Sequence, residues 1–246
     1  MNLTRTLIGA AALSVTALSA QAMTIELDFN NNDNGMTTAG VGFNGLLFQS
    51  FGITSITSTD TPNGLSLYNS NCGTDFPGSP CTGGDSDLAS GPTFGTDPQG
   101  RVLIAQDAPS NENGNGTEPD DLLGTYEFIF DFDLPVTIPT IFIMDLEASE
   151  DVEFDVVYSN GMSMDDVAFS STPLGNNASG NNSLFQFDAD NIGDVSKVSQ
   201  LTINFIGTSG AVSGLTYTPV PLPGALPLAL GGIAVLGGLS RLRRKA

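Results

Sequence analysis

The stretch "TYEFIFDFD", residues 125–133, decides the fold. Tyr126, Phe128, Phe130 and Phe132 fall at every second position, with Glu127 and Asp131 between them. A period of two puts four rings on one face of a β-strand and the carboxylates on the other; a helical period would scatter both sets. Similar runs of four to nine residues surround it: "TIELDF" (24–29), "LLFQSF" (46–51), "ITSITS" (53–58), "LSLY" (65–68), "RVLIAQ" (101–106) and "TIFIMDLE" (140–147). Further along come "VEFDVVYS" (152–159), "DVAFSS" (166–171), "SLFQFD" (183–188), "QLTINFIG" (200–207) and "VSGLTYT" (212–218). Each is rich in Val, Ile, Thr, Phe or Tyr and bounded by Gly, Asn, Asp or Pro. No amphipathic helix of about ten residues or more is readable between them. Around eleven such strands predict an all-β domain, an antiparallel β-sandwich of jelly-roll type with the aromatic faces between its sheets.

Neither end of the 246-residue chain reads as part of that domain. Residues 1–22 carry Arg5, an apolar run, and a small-x-small ending at Ala20-Gln21-Ala22. This is the pattern of a secretory signal peptide cut after Ala22 by signal peptidase. Residues 23–218 then form the body. Of seven basic residues the body keeps only Arg101 and Lys197, against all 27 acidic ones, a formal charge of −25. Such a field repels nucleic acid and anionic headgroups, so a nucleic-acid partner is excluded.

The chain has no histidine, which removes Ser-His-Asp and Cys-His catalysis and imidazole metal sites. Cys72 and Cys81 lie close together in "CGTDFPGSPC", and in an exported protein they are expected to pair as a disulfide. Closing so short a loop is worth about 2–3 kcal/mol. No Gly-rich loop enters a helix, so phosphate cradling has no support.

What remains is oxygen chemistry. Residues 69–124 are mostly Gly, Pro, Asn, Ser and Asp, more irregular chain than a compact domain carries without purpose. Within them, Asp85 and Asp87 of "GGDSDL", Asp107 of "LIAQD" and Asp120 and Asp121 of "EPDDLLG" offer oxygens to a calcium ion. The bland alternative for all five is turn formation and solubility. "DFNNNDNG" (28–35) imitates an EF-hand loop, but its twelfth position, counted from Asn30, is Val41 rather than Glu; an Asn/Gly turn explains it. "DLEASED" (145–151) reads as a solvated turn. A carboxylate pair hydrolysing glycosides is the remaining catalytic alternative, weakened by the absence of tryptophan for sugar stacking.

The chain ends in "VPLPGALPLALGGIAVLGGLSRLRRKA". Residues 226–242, if helical, would span about 25 Å, marginal for a bilayer core. Arg241, Arg243, Arg244 and Lys245 would hold that end on the cytoplasmic side and leave the body outside.

Signal peptide, acidic β-rich body, proline-led motif, apolar helix and basic terminus together resemble the PEP-CTERM class of exported bacterial proteins. The motif Val220, Pro221, Leu222, Pro223, Gly224 is similar to the VPLPA variant, with Gly224 in place of alanine. The resemblance implies that residues 219–246 are a sorting tail. An exosortase-type transpeptidase would recognise it, and the chain would pass from an inner-membrane-anchored precursor to the cell surface or exterior, in company with exopolysaccharide. The body, through "TGGDSDLASG", "GRVLIAQD", "EPDD" and "FIFDFDLPVTIPTIFIMDLE", is similar to an exported domain of that class, which implies a sandwich and no defined reaction. The expectation is therefore a non-catalytic structural or binding protein of the surface or matrix. A calcium-dependent carbohydrate-binding module is the first alternative and a glycoside hydrolase the second.

Overall fold

The computed structural model describes residues 22–30, 48–59, 64–71, 88–106, 122–146, 151–175 and 181–220. Met23–Val220 forms one compact unit. Its described residues are almost entirely antiparallel β-structure: β1 (Ile25–Asp28), β2 (Ile53–Thr57), β3 (Leu65–Asn69), β4 (Arg101–Ala105), β5 (Gly124–Met144) and β6 (Asp151–Tyr158). They continue with β7 (Ser163–Met164), β8 (Phe169–Pro173), β9 (Leu184–Ala189), β10 (Ser196–Thr208) and β11 (Ala211–Pro219). Two single 3₁₀ turns, Gln49–Phe51 and Pro92–Phe94, are the helical elements among the described residues.

The aromatic strand and "TIFIM" are one 21-residue strand, β5, and it changes partners along its length. Its first half lies between β2 and β10, with Phe130 opposite both Ile56 and Leu201. Its second half lies between β9 and β11, with Ile141 opposite both Phe187 and Leu215. The exchange falls at residues 132–135, where β5 has three residues more than β10 between their pairings Asp131–Gln200 and Val136–Val198. Leu134 and Pro135 occupy this excursion, and Pro135 has no N–H to contribute to a ladder. A second bulge lies just before Thr140, where β5 has one residue more than β11. The buried positions accordingly change parity, from Val136 and Ile138 to Ile141 and Ile143.

The two groups of strands face each other across the main core. Phe154 of β6 meets Phe187 of β9 at 5.2 Å and Phe169 of β8 at 4.6 Å between ring centroids, though β6 is hydrogen-bonded to neither strand. Tyr126, Phe128 and Phe205 form a second ring group. Tyr126 stacks on Phe205 at 4.9 Å, and Phe128 meets both edge-on at 5.5 and 5.4 Å. Tyr126 also donates its hydroxyl to the Gly210 carbonyl at 3.1 Å.

One group is covered on both faces. In β3 and β4 the residues Leu65, Leu67, Leu103 and Ala105 join the main core. Tyr68, Val102 and Ile104 turn the other way, into a second cluster with Leu88, Met144, Leu184 and Ala211. The unbroken apolar run "VLIA" reflects this, since a strand with one wet face alternates instead.

Three local expectations are corrected. "LLFQSF" is not a strand where described: residues 49–51 form a 3₁₀ turn ended by Gly52 at φ 78°. Three residues per turn bring Phe48 and Phe51 to the same side, with centroids 6.3 Å apart, so both reach the core. "DVAFSS" becomes strand only from Phe169, because Asp166 takes a φ of 54°. "DLEASED" does not begin in solvent: Asp145 is 4% and Leu146 7% exposed. Residues 147–150 lie outside the described residues.

Phe128 is fully buried in the ring group, whereas Leu123 is 74% exposed just before β5. Phe128→Ala is expected to lower unfolding free energy by about 3–5 kcal/mol, and Leu123→Ala to stay within about 0.5 kcal/mol. Urea unfolding followed by tyrosine fluorescence measures both.

Candidate functional site

The second cluster places a loop on the outer face of the doubly covered group. Residues 88–100 form no strand beyond one isolated bridge between Ser90 and Asn71, and their base is tied by polar side chains. Ser70 and Ser90 hydroxyls lie 2.8 Å apart, and Ser70 Oγ donates to the Gly100 carbonyl at 2.8 Å. Asn71 Oδ1 accepts the Gly100 N–H at 2.8 Å, and Ser90 Oγ accepts that of Gln99 at 2.9 Å. The loop closes on itself where Gly91 N–H donates to Thr96 Oγ1 at 3.2 Å. From the opposite side, Asn30 Oδ1 accepts the Arg101 N–H at 2.9 Å. Each serine or asparagine satisfies main-chain groups that no ladder reaches, so the loop is held without regular structure.

Between this loop, β1, the end of β8 and β11 lies an open cleft of about 730 Å³. Glu26 and Asp28 form one wall, because β1 alternates and sends Leu27 into the main core. Asp97, Pro98 and Gln99 of the loop stand across from them, and Phe142, Leu174 and Leu184 add apolar surface. At one point the loop and the residue after Leu174 touch: a Cβ on Gly175, at φ 89°, would lie 2.1 Å from the Gly95 carbonyl oxygen. Gly214, which pairs with Asp28, sits equally tight, since its Cβ would lie 2.7 Å from the Leu27 carbonyl oxygen.

Ser213 also lines the cleft, and it is only 6% exposed. Its Oγ is buried without a hydrogen-bond partner. The strand is irregular there: β11 has one residue more than β5 between Val212 and Gly214. Such a bulge re-aims a side chain that a regular ladder would send elsewhere.

A second concentration of charge lies on the solvent side of β6. Asp151, Glu153 and Asp155 occupy alternate positions, and Asp155 Oδ1 accepts the Asp166 N–H at 2.9 Å. Asp166 beside Glu153 raises the Glu153 pKa above the ordinary carboxylate value, and burial, Asp151 and Asp155 add to the rise.

The residues expected to bind calcium, Asp85, Asp87, Asp107, Asp120 and Asp121, all lie outside the described residues, as do Cys72 and Cys81. So do Pro221, Leu222, Pro223, Gly224, the 226–242 segment, and Arg241, Arg243, Arg244 and Lys245. Ala22 is exposed, and Val220 donates its N–H to the Pro135 carbonyl at 2.7 Å. Among the described residues, no helix is long and apolar enough to cross a membrane, and no three acidic side chains converge to hold a metal ion. The cleft residues Glu26, Asp28, Asp97 and Ser213 were not singled out by sequence reasoning. Glu26 and Asp28 carry only the signal of a solvated strand face, and Ser213 carries none.

No protein-family model matches the chain, and neither curated proteins nor solved structures yield a match.

The raised Glu153 pKa means that the folded state holds its proton to a higher pH than the unfolded state does. Stability should therefore fall as pH rises through the window above the ordinary glutamate value. Glu153→Gln removes the repulsion: its melting temperature should match the parent's in acid, where both forms are neutral, and exceed it at neutral pH. Thermal melts across that range check the sign.

Proposed function

We propose that the chain is an exported surface or matrix protein whose body is a jelly-roll-type β-sandwich acting as a non-catalytic binding module. The observation that carries this reading is the open polar cleft, walled by Glu26 and Asp28 on one side and by the tethered loop with Asp97 on the other. Its size suits an organic ligand, and its walls are held by backbone close approaches at Gly175 and Gly214. The partner exchange of β5 supports the sandwich, because a strand that switches neighbours midway can turn the corner between two packed sheets.

The ends supply the address. The compact unit Met23–Val220 begins one residue after the signal-peptidase position Ala22 and ends where the "VPLPG" motif starts. That agreement supports removal of residues 1–22 and handling of residues 219–246 by an exosortase-type transpeptidase, with the membrane holding the precursor through residues 226–242. Exopolysaccharide is the partner that the PEP-CTERM resemblance favours. Replacing Val220, Pro221, Leu222 and Pro223 together by alanine should leave the body folded but trapped with membranes. Fractionation and mass determination of the released form read this, and normal release of the variant would overturn the sorting proposal.

A calcium requirement is a second reading, favoured by Asp145. This carboxylate is 4% exposed, takes φ 62°, and accepts the Asn182 N–H at 3.3 Å. Asn182 Nδ2 in turn donates to the Ala89 carbonyl at 2.9 Å. Asp85 and Asp87 precede Ala89 by a few residues in sequence. Asp107 follows Gln106 at the end of β4, which runs parallel to β5 across β11, so β4 and the strand leading to Asp145 end at the same edge. A buried carboxylate whose described neighbours lie close in sequence to acidic residues is the motive for testing a hard cation. Calcium at about one hundred times its Kd should stabilise the chain by about 2.7 kcal/mol over chelator, and Asp145→Asn should shrink that gain. Equal melting temperatures in calcium and chelator would remove the reading.

A further inference from the structure

We propose that the excursion of β5 at residues 132–135, with the exposed side chains Met23, Leu134, Met162, Ile192 and Lys197 around it, rests in the headgroup layer of a zwitterionic bilayer while residues 226–242 hold the precursor there. The inference rests on the sorting reading and deepens it by naming the part of the body that meets the membrane.

Placement carries it. One row of paired residues crosses four strands beside the excursion: Pro219 of β11 lies opposite Val136 of β5, Val136 opposite Val198 of β10, and Val198 opposite Tyr158 of β6. Among the described residues six large apolar side chains are exposed, and the four that border this row are between 42% and 78% exposed. Met23 precedes Thr24, whose hydroxyl lies 3.1 Å from that of Thr218. Leu134 precedes Pro135, whose carbonyl accepts the Val220 N–H. The Met162 carbonyl accepts the Tyr158 N–H, and Ile192 lies in the turn before Asp194, whose carbonyl accepts the Tyr158 hydroxyl at 2.7 Å. The other two, Leu123 and Ile206, lie about 25 Å away along the ladder, at the far ends of β5 and β10. Single exposed apolar residues need no explanation, but four gathered at one place on a strongly charged body mark an interaction surface.

The exit of the chain selects the partner. Val220, the last described residue, leaves the body at the excursion, and six residues later Leu226 opens the apolar run. Pro219, Pro221 and Pro223 favour an extended spacer of about 20 Å, so the excursion cannot stand farther than that from the hydrocarbon. The headgroup layer itself occupies about 5–8 Å of that distance. Charge selects the lipid. Lys197 is exposed, and removal of residues 1–22 would leave a positive amino group on Met23; Asp133 precedes Leu134, and Asp194 closes the Ile192 turn. Groups of both signs match headgroups that carry both, whereas the body as a whole repels anionic lipid. So small a surface does not hold a bilayer by itself; the tail supplies the effective concentration that lets it act. A second copy could cover the same residues, but the tail brings a bilayer, not a copy, to this place.

The chain contains no tryptophan, so a single substitution reports its own surroundings. The test is to export the chain with its own signal, purify it with its tail intact, and incorporate it into phosphatidylcholine vesicles with and without bromine in the upper acyl chains. Leu134→Trp and Met162→Trp, both at exposed positions, should emit blue-shifted and be quenched by the brominated lipid several-fold more than Leu123→Trp. Leu236→Trp, within the apolar run, reads the tail itself. If it is quenched while Leu134→Trp and Met162→Trp are quenched no more than Leu123→Trp, this inference falls alone. If Leu236→Trp is not quenched, the anchoring reading falls and takes the inference with it. A blue shift at Met162→Trp without quenching, in particles holding two chains, assigns the surface to a second copy and also overturns the proposal.

Discussion

The ladder that β5 makes with four different strands is the constraint on which the rest depends. Its first half fixes the register of β2 and β10, and its second half fixes β9 and β11. Both halves must bury their rings and branched side chains on the same side, although the strand changes neighbours between them. The excursion at residues 132–135 and the bulge before Thr140 reconcile these demands by inserting residues that no partner strand matches. Proline falls at each place, as Pro135 and Pro139, where a missing N–H is least harmful. A regular 21-residue strand would have sent Ile141 and Ile143 to the wrong face.

The second consequence is that β3, β4, β11 and the end of β5 are apolar on both faces. One side belongs to the main core, and the other needed a cover. The 88–100 segment supplies it by pressing Leu88 onto Tyr68, Ile104 and Met144, which makes a small core outside the large one. The cleft is the margin of this cover, where loop and β1 fail to meet. Its position therefore follows from packing: the loop is anchored by Ser70, Asn71 and Ser90 at one end and checked by Gly175 against Gly95 at the other.

Much of this was legible in the sequence, and the parts that were not share a cause. Period-two patterns located the strands because each apolar side chain reports its own burial. The run "VLIA" lacks the period-two pattern, and its two-sided burial became clear only once the two clusters on its faces were seen. The union of "TYEFIFDFD" with "TIFIM" was hidden by "LPVTIP", whose prolines read as a break and act as a bend. The turn at Phe48 and Phe51 was missed because spacing of three in a six-residue run resembles neither strand nor α-helix. The burial of Asp145 was missed because an acidic string reads as solvated, whereas Ser183 and Asn182 bring main-chain partners to that corner: Asp145 N–H donates to the Ser183 carbonyl at 2.9 Å. The cleft was the least legible feature, since Glu26, Asp97 and Ser213 are distant in sequence and only the folded sheet gathers them.

The two acidic concentrations differ in a way that bears on what each can do. On β6, Asp151, Glu153 and Asp155 sit at alternate positions of one strand with Asp166 against them, and the shift at Glu153 records their mutual repulsion. Solvent relieves that repulsion cheaply, so the group needs no ligand to persist. At the cleft Glu26 and Asp28 come from β1, and Asp97 from a loop tied down by its own hydrogen bonds, so distant parts of the chain set their spacing. Beside them lies a hydroxyl that water does not reach. Acidic groups on two separately anchored walls are spaced by the fold itself, whereas those on β6 are spaced by adjacency along one strand. That asymmetry, more than the count of acidic residues, distinguishes the cleft from the rest of a strongly negative surface.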